Sequence, residues 1–162
     1  VRRLSQDLSP YHIERAGLTA TLRSMLHTVA ESTALDLHAE IEDVDGLFDA
    51  VREIDLYRVV QEGVNNIIKH AEASTAKIHL RRMNGSLQLS ISDDGRGFDV
   101  DVWKGGDAAA GLGLQGMTER VQMLGGSLNI NSGPGKGTRL LISFPVSPTV
   151  VSSSSSSVEV GT

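Results

Sequence analysis

The chain contains no cysteine. That excludes disulfides and thiolate metal sites and is compatible with a reducing compartment. No apolar stretch approaches the roughly 20 residues of a membrane helix, and no secretory signal pattern opens the sequence. Basic runs do not exceed Arg2-Arg3 and Arg81-Arg82, and a formal charge of -5 argues against a nucleic-acid partner. The scattered histidines His12, His27, His38 and His79 lack metal-ligand spacing and read as surface or packing residues. A cytoplasmic, non-membrane-inserted chain is expected. It begins at Val1 within an amphipathic pattern, which is compatible with a piece of a larger, even membrane-anchored, parent.

What is present suffices for one folded domain. The 162 residues are 40% hydrophobic, enough for a core. Arg2 to Leu8 reads as the last turns of a helix stopped by Pro10, so residues 1–16 are expected to be a helix remnant and linker. A helix is predicted over Gly17 to Ser32, a strand over Asp36 to Ile41, and a helix over Glu53 to Ala71 with Ile54, Tyr57, Val60, Val64, Ile67 and Ile68 as its apolar stripe. Two alternating runs, Ala76 to Leu80 and Leu87 to Ile91, flank Asn84-Gly85, a favoured hairpin turn.

Gly95 to Gly113 reads as too polar and broken for regular structure, a candidate lid running into a helix from Leu114 to Leu124. Gly125-Gly126 closes that helix, and a second hairpin spans Leu128 to Asn131 and Thr138 to Phe144. The order implies an α/β two-layer sandwich, a mixed and mostly antiparallel sheet with helices on one face, over residues 17–146. Residues 147–162, with six serines from Ser152 to Ser157, read as a disordered tail.

Two segments carry chemistry. Asp93-Asp94-Gly95-Arg96-Gly97 ends a strand with a carboxylate that can accept from an adenine amino group and glycines that let backbone approach a ligand. Upstream, Glu62, Asn66, Lys69 and His70 are spaced to share one helix side, offering an acid, an amide oxygen for Mg2+ and a cation for phosphate. Alone, such a cluster is more often a solvated helix face. His70 reads equally as a helix-end cap. Gly111-Leu112-Gly113-Leu114-Gln115-Gly116 matches the dinucleotide fingerprint but follows no strand, and no acid lies between Arg120 and Val158, so a Rossmann site is excluded. Its glycine amides instead suit phosphate binding at the start of the Leu114 helix. No P-loop lysine follows a GxxxxG spacing, and Trp103 occupies a ligand position that an EF-hand reading of Asp99 and Asp101 requires. Met25, Met117 and Met123 read as core filler, Trp103 as a lid residue and Arg81-Arg82 as a solvated strand edge.

In order, Glu62-xxx-Asn66-xx-Lys69-His70, Asp93-x-Gly95-x-Gly97, Gly111-x-Gly113-Leu114 and Gly137-Thr138 resemble the N, G1, G2 and closing GT boxes of the ATPase domain shared by gyrase, Hsp90, MutL and histidine kinases. Tyr57-Arg58-Val59-Val60-Gln61-Glu62 and Gly116-Met117-Thr118-Glu119-Arg120 with Leu124-Gly125-Gly126 look like sensor histidine kinases of the nitrate-sensor and membrane-fluidity-sensor type. The resemblance implies a Bergerat-type ATPase fold holding ATP and Mg2+. Under it, Asp93 would accept from the adenine N6 amino group, with Thr138 supporting through water and Gly95 and Gly97 letting backbone pass the base. Asn66 would bind Mg2+, Glu62 would orient groups near the γ-phosphate, Lys69 and His70 would contact phosphates, and Gly111 and Gly113 would hinge the lid.

The family's phosphoacceptor histidine usually precedes an acid, whereas His12, His27, His38, His70 and His79 are followed by Ile13, Thr28, Ala39, Ala71 and Leu80. The acceptor is therefore expected on a dimerisation domain outside this chain, with a response regulator as the next partner. Thr118 stands where the subfamily commonly has arginine. An anti-sigma-type serine kinase, a free ATPase of the same fold and a non-enzymatic interaction module are the rival readings.

Overall fold

A computed structural model describes residues 9–104 and 108–146. Five strands form one sheet in the order β1-β2-β3-β5-β4. These are β1 (Asp36–Ile41), β2 (Thr75–Met83), β3 (Ser86–Asp93), β4 (Ser127–Ser132) and β5 (Thr138–Pro145). β1 runs parallel to β2, and every other pairing is antiparallel. The parallel step follows from the connection, because a helix separates β1 from β2, whereas the β2–β3 hairpin closes on Asn84 and Gly85 with φ of 42° and 80°.

Alternation sorts the two faces. Ile78 and Leu80, Leu87 and Leu89, and Ile142 and Phe144 are buried on one face, while Lys77, Gln88 and Arg139 point to the other. Among the described residues, helices cover the apolar face: α2 (Leu18–Ser32) through Leu22, Leu26 and Val29, α3 (Ala50–Asn66) through Leu56, Val60 and Val64, and a C-terminal helix through Met117 and Val121. Burial of these side chains, on the order of 1.5–3 kcal/mol each, is the main force joining the layers. The expected mixed two-layer sandwich is what forms.

Several local expectations are corrected. Pro10 lies within a helix, α1 (Ser9–Ala16). The segment Arg2 to Leu8 lies outside the described residues, as does the serine tail. The helix expected to end as α-helix at Ala71 changes to a π-turn over Ile67–Ala71, capped by Glu72 in the left-handed region at φ 51°. Ile68, expected in the apolar stripe, is 39% exposed.

The glycine-rich stretch is more regular than its composition suggests. It contains α4 (Val100–Lys104), and α5 (Ala108–Met123) begins six residues before Leu114. Three alanines, the strongest helix formers, carry the helix through Gly111 and Gly113. β2 is an interior strand, but its pairing with β1 ends at Leu80, so Arg81 and Arg82 run past β1 as an exposed stretch, and Arg81 reaches back to Glu40 on β1 at 2.9 Å. Met123 is 76% exposed rather than core, whereas Met117 is buried as expected.

Candidate functional site

The C-terminal end of β3 and the π-turn meet over one cleft of about 290 Å3, near the lower end for small-molecule sites. Asn66 and His70 come to it from the α3 end, Asp93, Gly97 and Phe98 from the loop after β3, Leu114 from α5 and Thr138 from β5. At about 100° per residue, an α-helix would put His70 about 40° from Asn66 and Lys69 about 60° to the other side. The wider turn advances less and sharpens that difference, and His70 lines the cleft while the exposed Lys69 does not. Of the upstream cluster, Asn66 and His70 line the cleft, whereas Lys69 and Glu62 do not.

Asp93 is half-buried at the end of β3, opposite Thr138 in the register. Its Oδ1 accepts from the Gly95 N–H at 2.8 Å. Burial raises its pKa above the ordinary carboxylate range, partly offset by the Gly95 and Thr138 backbone N–H groups, with the neighbouring Asp94 adding to the rise. Asp94 has a different task. Its exposed carboxylate accepts from the Ser74 and Thr75 N–H groups at 2.8 and 2.9 Å, which lowers its pKa and pins the loop to the start of β2.

The glycines of the loop are required by close approach. A Cβ on Gly95 would run into the Ala71 carbonyl oxygen, and one on Gly97, at φ 61°, into that of Gly133. The loop is tied on both sides: Arg96 N–H donates to Ala71 C=O at 2.7 Å, and Arg96 C=O accepts from Gly135 N–H at 2.6 Å. The π-turn, the loop after β3 and the β4–β5 turn thus form one interlocked wall.

At the other end, Asn66 Nδ2 is buried without a hydrogen-bond partner. A buried, unpaired amide costs about 1–3 kcal/mol, so its retention calls for a ligand. Rotation of the amide by 180° would place the oxygen there instead, which suits a hard cation. Among the described residues no group of three or more His, Asp or Glu could hold a metal alone, so an ion there would share Asn66 with substrate oxygens. Glu62 lies beside the cleft rather than in its lining. A Cβ on Gly113 would collide with Glu62 Oε1 and crowd Asn66 Oδ1, so Gly113 lets α5 lie directly against α3. The Gly113 amide falls in the second turn of α5 and is not a free helix-start donor; the surroundings of Gly111 lie outside the described side chains.

Trp103 packs edge-to-face on Phe98, with ring centroids 6.4 Å apart. The hydroxyl of Thr118 donates within α5 to the Leu114 carbonyl at 2.7 Å. The sequence reading missed Ser132, Arg96 and Phe98. Only the position of Ser132 before the glycine-rich turn hinted at a role, and Phe98 was hidden among polar neighbours.

A second groove of about 260 Å3, between α1, α2 and α3, is lined by His12, Met25, Tyr57 and Gln61 but by no carboxylate. The combination of a desolvated carboxylate, tight glycine backbone and an unpaired amide belongs to the Asp93 cleft alone among the described residues.

Residues 51–148 match the family model described as histidine kinase-, DNA gyrase B- and HSP90-like ATPase. The chain belongs to this ATPase family. Membership makes it an ATP-binding domain. It is similar to the sensor histidine kinase MctS of Rhizobium johnstonii, 37% identical over 147 residues, covering 91% of this chain and 32% of the relative. The signal transduction histidine-protein kinase/phosphatase DegS of Brevibacillus brevis is 36% identical over 146 residues, covering 90% of this chain and 37% of the relative. The chain thus spans about a third of the length of these curated relatives. Among solved structures, the histidine kinase domain of the blue-light activated kinase EL346 from Erythrobacter litoralis superposes with a TM-score of 0.68 at 25% identity, covering 80% of this chain and 61% of that one.

Proposed function

We propose that the chain is the catalytic domain of a two-component sensor histidine kinase, delivering the γ-phosphoryl of ATP to a histidine on a dimerisation domain outside this sequence. A response regulator would then receive the phosphoryl on an aspartate. The observation that carries the reading is the pairing of half-buried Asp93 at one end of the cleft with the unpaired Asn66 amide at the other. The similarity to MctS and DegS favours a histidine over a serine acceptor.

Each residue then has a task. Asp93 accepts from the adenine amino group, Thr138 supports that contact, and Gly95 and Gly97 keep the wall thin enough for the base. Asn66 is the protein ligand for Mg2+, which when bound would neutralise charge on the phosphates. Glu62, beside Asn66, orients groups near the γ-phosphate, and His70, which lines the cleft, is placed for phosphate contact. Lys69 reaches phosphate only by extending its long side chain back toward the cleft. Leu114 closes the apolar side. Gly111 and Gly113 each weaken α5 by about 1 kcal/mol relative to alanine, which makes its first turns the cheapest to unwind into a lid. Phosphoryl transfer asks the protein mainly for positioning and charge stabilisation.

Domain limits of 17–146 for the catalytic unit and 1–16 for the link to the dimerisation domain belong to the same reading, as does cytoplasmic operation. Among the described residues no helix is long and apolar enough to cross a membrane. The test is phosphorylation, in trans, of a separately supplied dimerisation domain from a related kinase. Wild-type transfer with loss in Asn66→Asp and Asp93→Asn supports the roles; undiminished transfer by both variants sinks them.

A further inference from the structure

Ser132, the last residue of β4, sits outside the cleft lining yet touches three parts of its wall. Its Oγ accepts from the Phe98 N–H at 3.0 Å, donates to the Gly137 carbonyl at 2.8 Å and lies 2.9 Å from Thr138 Oγ1. A hydroxyl has one proton and two lone pairs, and a carbonyl can only accept. The Ser132 proton is therefore committed to Gly137, and the contact with Thr138 must use the Thr138 proton. Ser132 is then saturated, with one bond donated and two accepted.

The consequence falls on Thr138, which lines the cleft opposite Asp93. With its only proton turned back to Ser132, its hydroxyl presents lone pairs alone. Asp93, when ionised, also only accepts. We propose that Ser132 is a positioning residue for base selection: by holding the Thr138 proton it makes the Asp93–Thr138 end of the cleft purely accepting, so that the site takes a purine bearing a 6-amino group and rejects a 6-oxo purine. This rests on the nucleotide reading of the cleft. A 6-oxo oxygen would face two acceptors, whereas an amino group meets them directly or through a water whose protons both point inward.

The test compares ATP with inosine triphosphate, which differs by the 6-oxo group and the N1 proton that accompanies it. Calorimetric dissociation constants for both are measured on the wild-type chain and on Ser132→Ala, Ser132→Thr and Ser132→Cys. Wild type should prefer ATP. Ser132→Ala frees the Thr138 hydroxyl to rotate and donate, so the ATP-to-ITP preference should fall about 3–10-fold, the worth of one hydrogen bond. Ser132→Thr, which keeps the hydroxyl, should retain the preference. Should the alanine variant not fold, Ser132→Cys, with a weak donor and acceptor of similar shape, should shift the ratio in the same direction. A merely structural role would weaken both nucleotides by the same factor, and an unchanged ratio in folded Ser132→Ala or Ser132→Cys overturns the inference alone. Failure of the wild-type chain to bind ATP overturns the nucleotide reading and this inference with it.

Discussion

Asp93 shows how one residue is held ready at a cost. Burial raises its pKa, so in the unliganded protein its contribution to stability is fully present below the unfolded value and is lost as pH rises through the folded one. The thermal midpoint of Asp93→Asn relative to wild type should therefore increase from acid to neutral pH, as read by calorimetry across that window. ATP affinity should run the other way, because the contact needs the ionised acceptor. It should begin to fall at a higher pH than an ordinary carboxylate would cause, and Asp93→Asn should bind about 10–100-fold more weakly at neutral pH. Gly97 gives a steric counterpart. Gly97→Ala places a side chain at φ 61° against the Gly133 carbonyl and should cost about 1–3 kcal/mol in urea unfolding, with nucleotide binding lost. These two residues were legible in the sequence because their chemistry is local: an acid at a strand end and a glycine two or four positions on.

Elements reveal what the sequence hid. The β-hairpins were readable because Asn84-Gly85 and alternating burial specify register directly. The π-turn was not, since nothing in Ile67 to Ala71 distinguishes a wider turn from an α-helix until the Ala71 carbonyl is seen meeting Arg96. The start of α5 is hidden for the opposite reason: Gly111 and Gly113 mask the helix-forming strength of the three alanines before them. The cap of α2 was equally hidden, because it comes from a distant loop. Gly17 has no side chain to cap the helix, and Asp45, 26 residues from Thr19, accepts from both its N–H and its hydroxyl at 2.8 and 2.9 Å. Asp45→Ala should destabilise the fold by about 1 kcal/mol in denaturant titration while leaving ATP affinity unchanged, since Asp45 lies outside the cleft. A change in affinity would mean that the junction of α1 and α2 is coupled to the site.

At the scale of the whole molecule, the sandwich packs α2, α3 and α5 over one sheet face and opens its cleft where the ends of α3, β3 and β5 converge with α5. The fold class was legible from element order. The convergence was legible only through the ordered boxes, because Asn66, Asp93 and Thr138 are far apart in sequence and no local pattern says that they meet. The central claim is that they meet around ATP. The measurement that tests it most directly is a calorimetric titration of the chain with a non-hydrolysable ATP analogue, with and without Mg2+, beside Asp93→Asn. Saturable binding that Mg2+ strengthens and the variant loses is the expected result. No binding by the folded wild-type chain, or equal binding by the variant, would contradict the account.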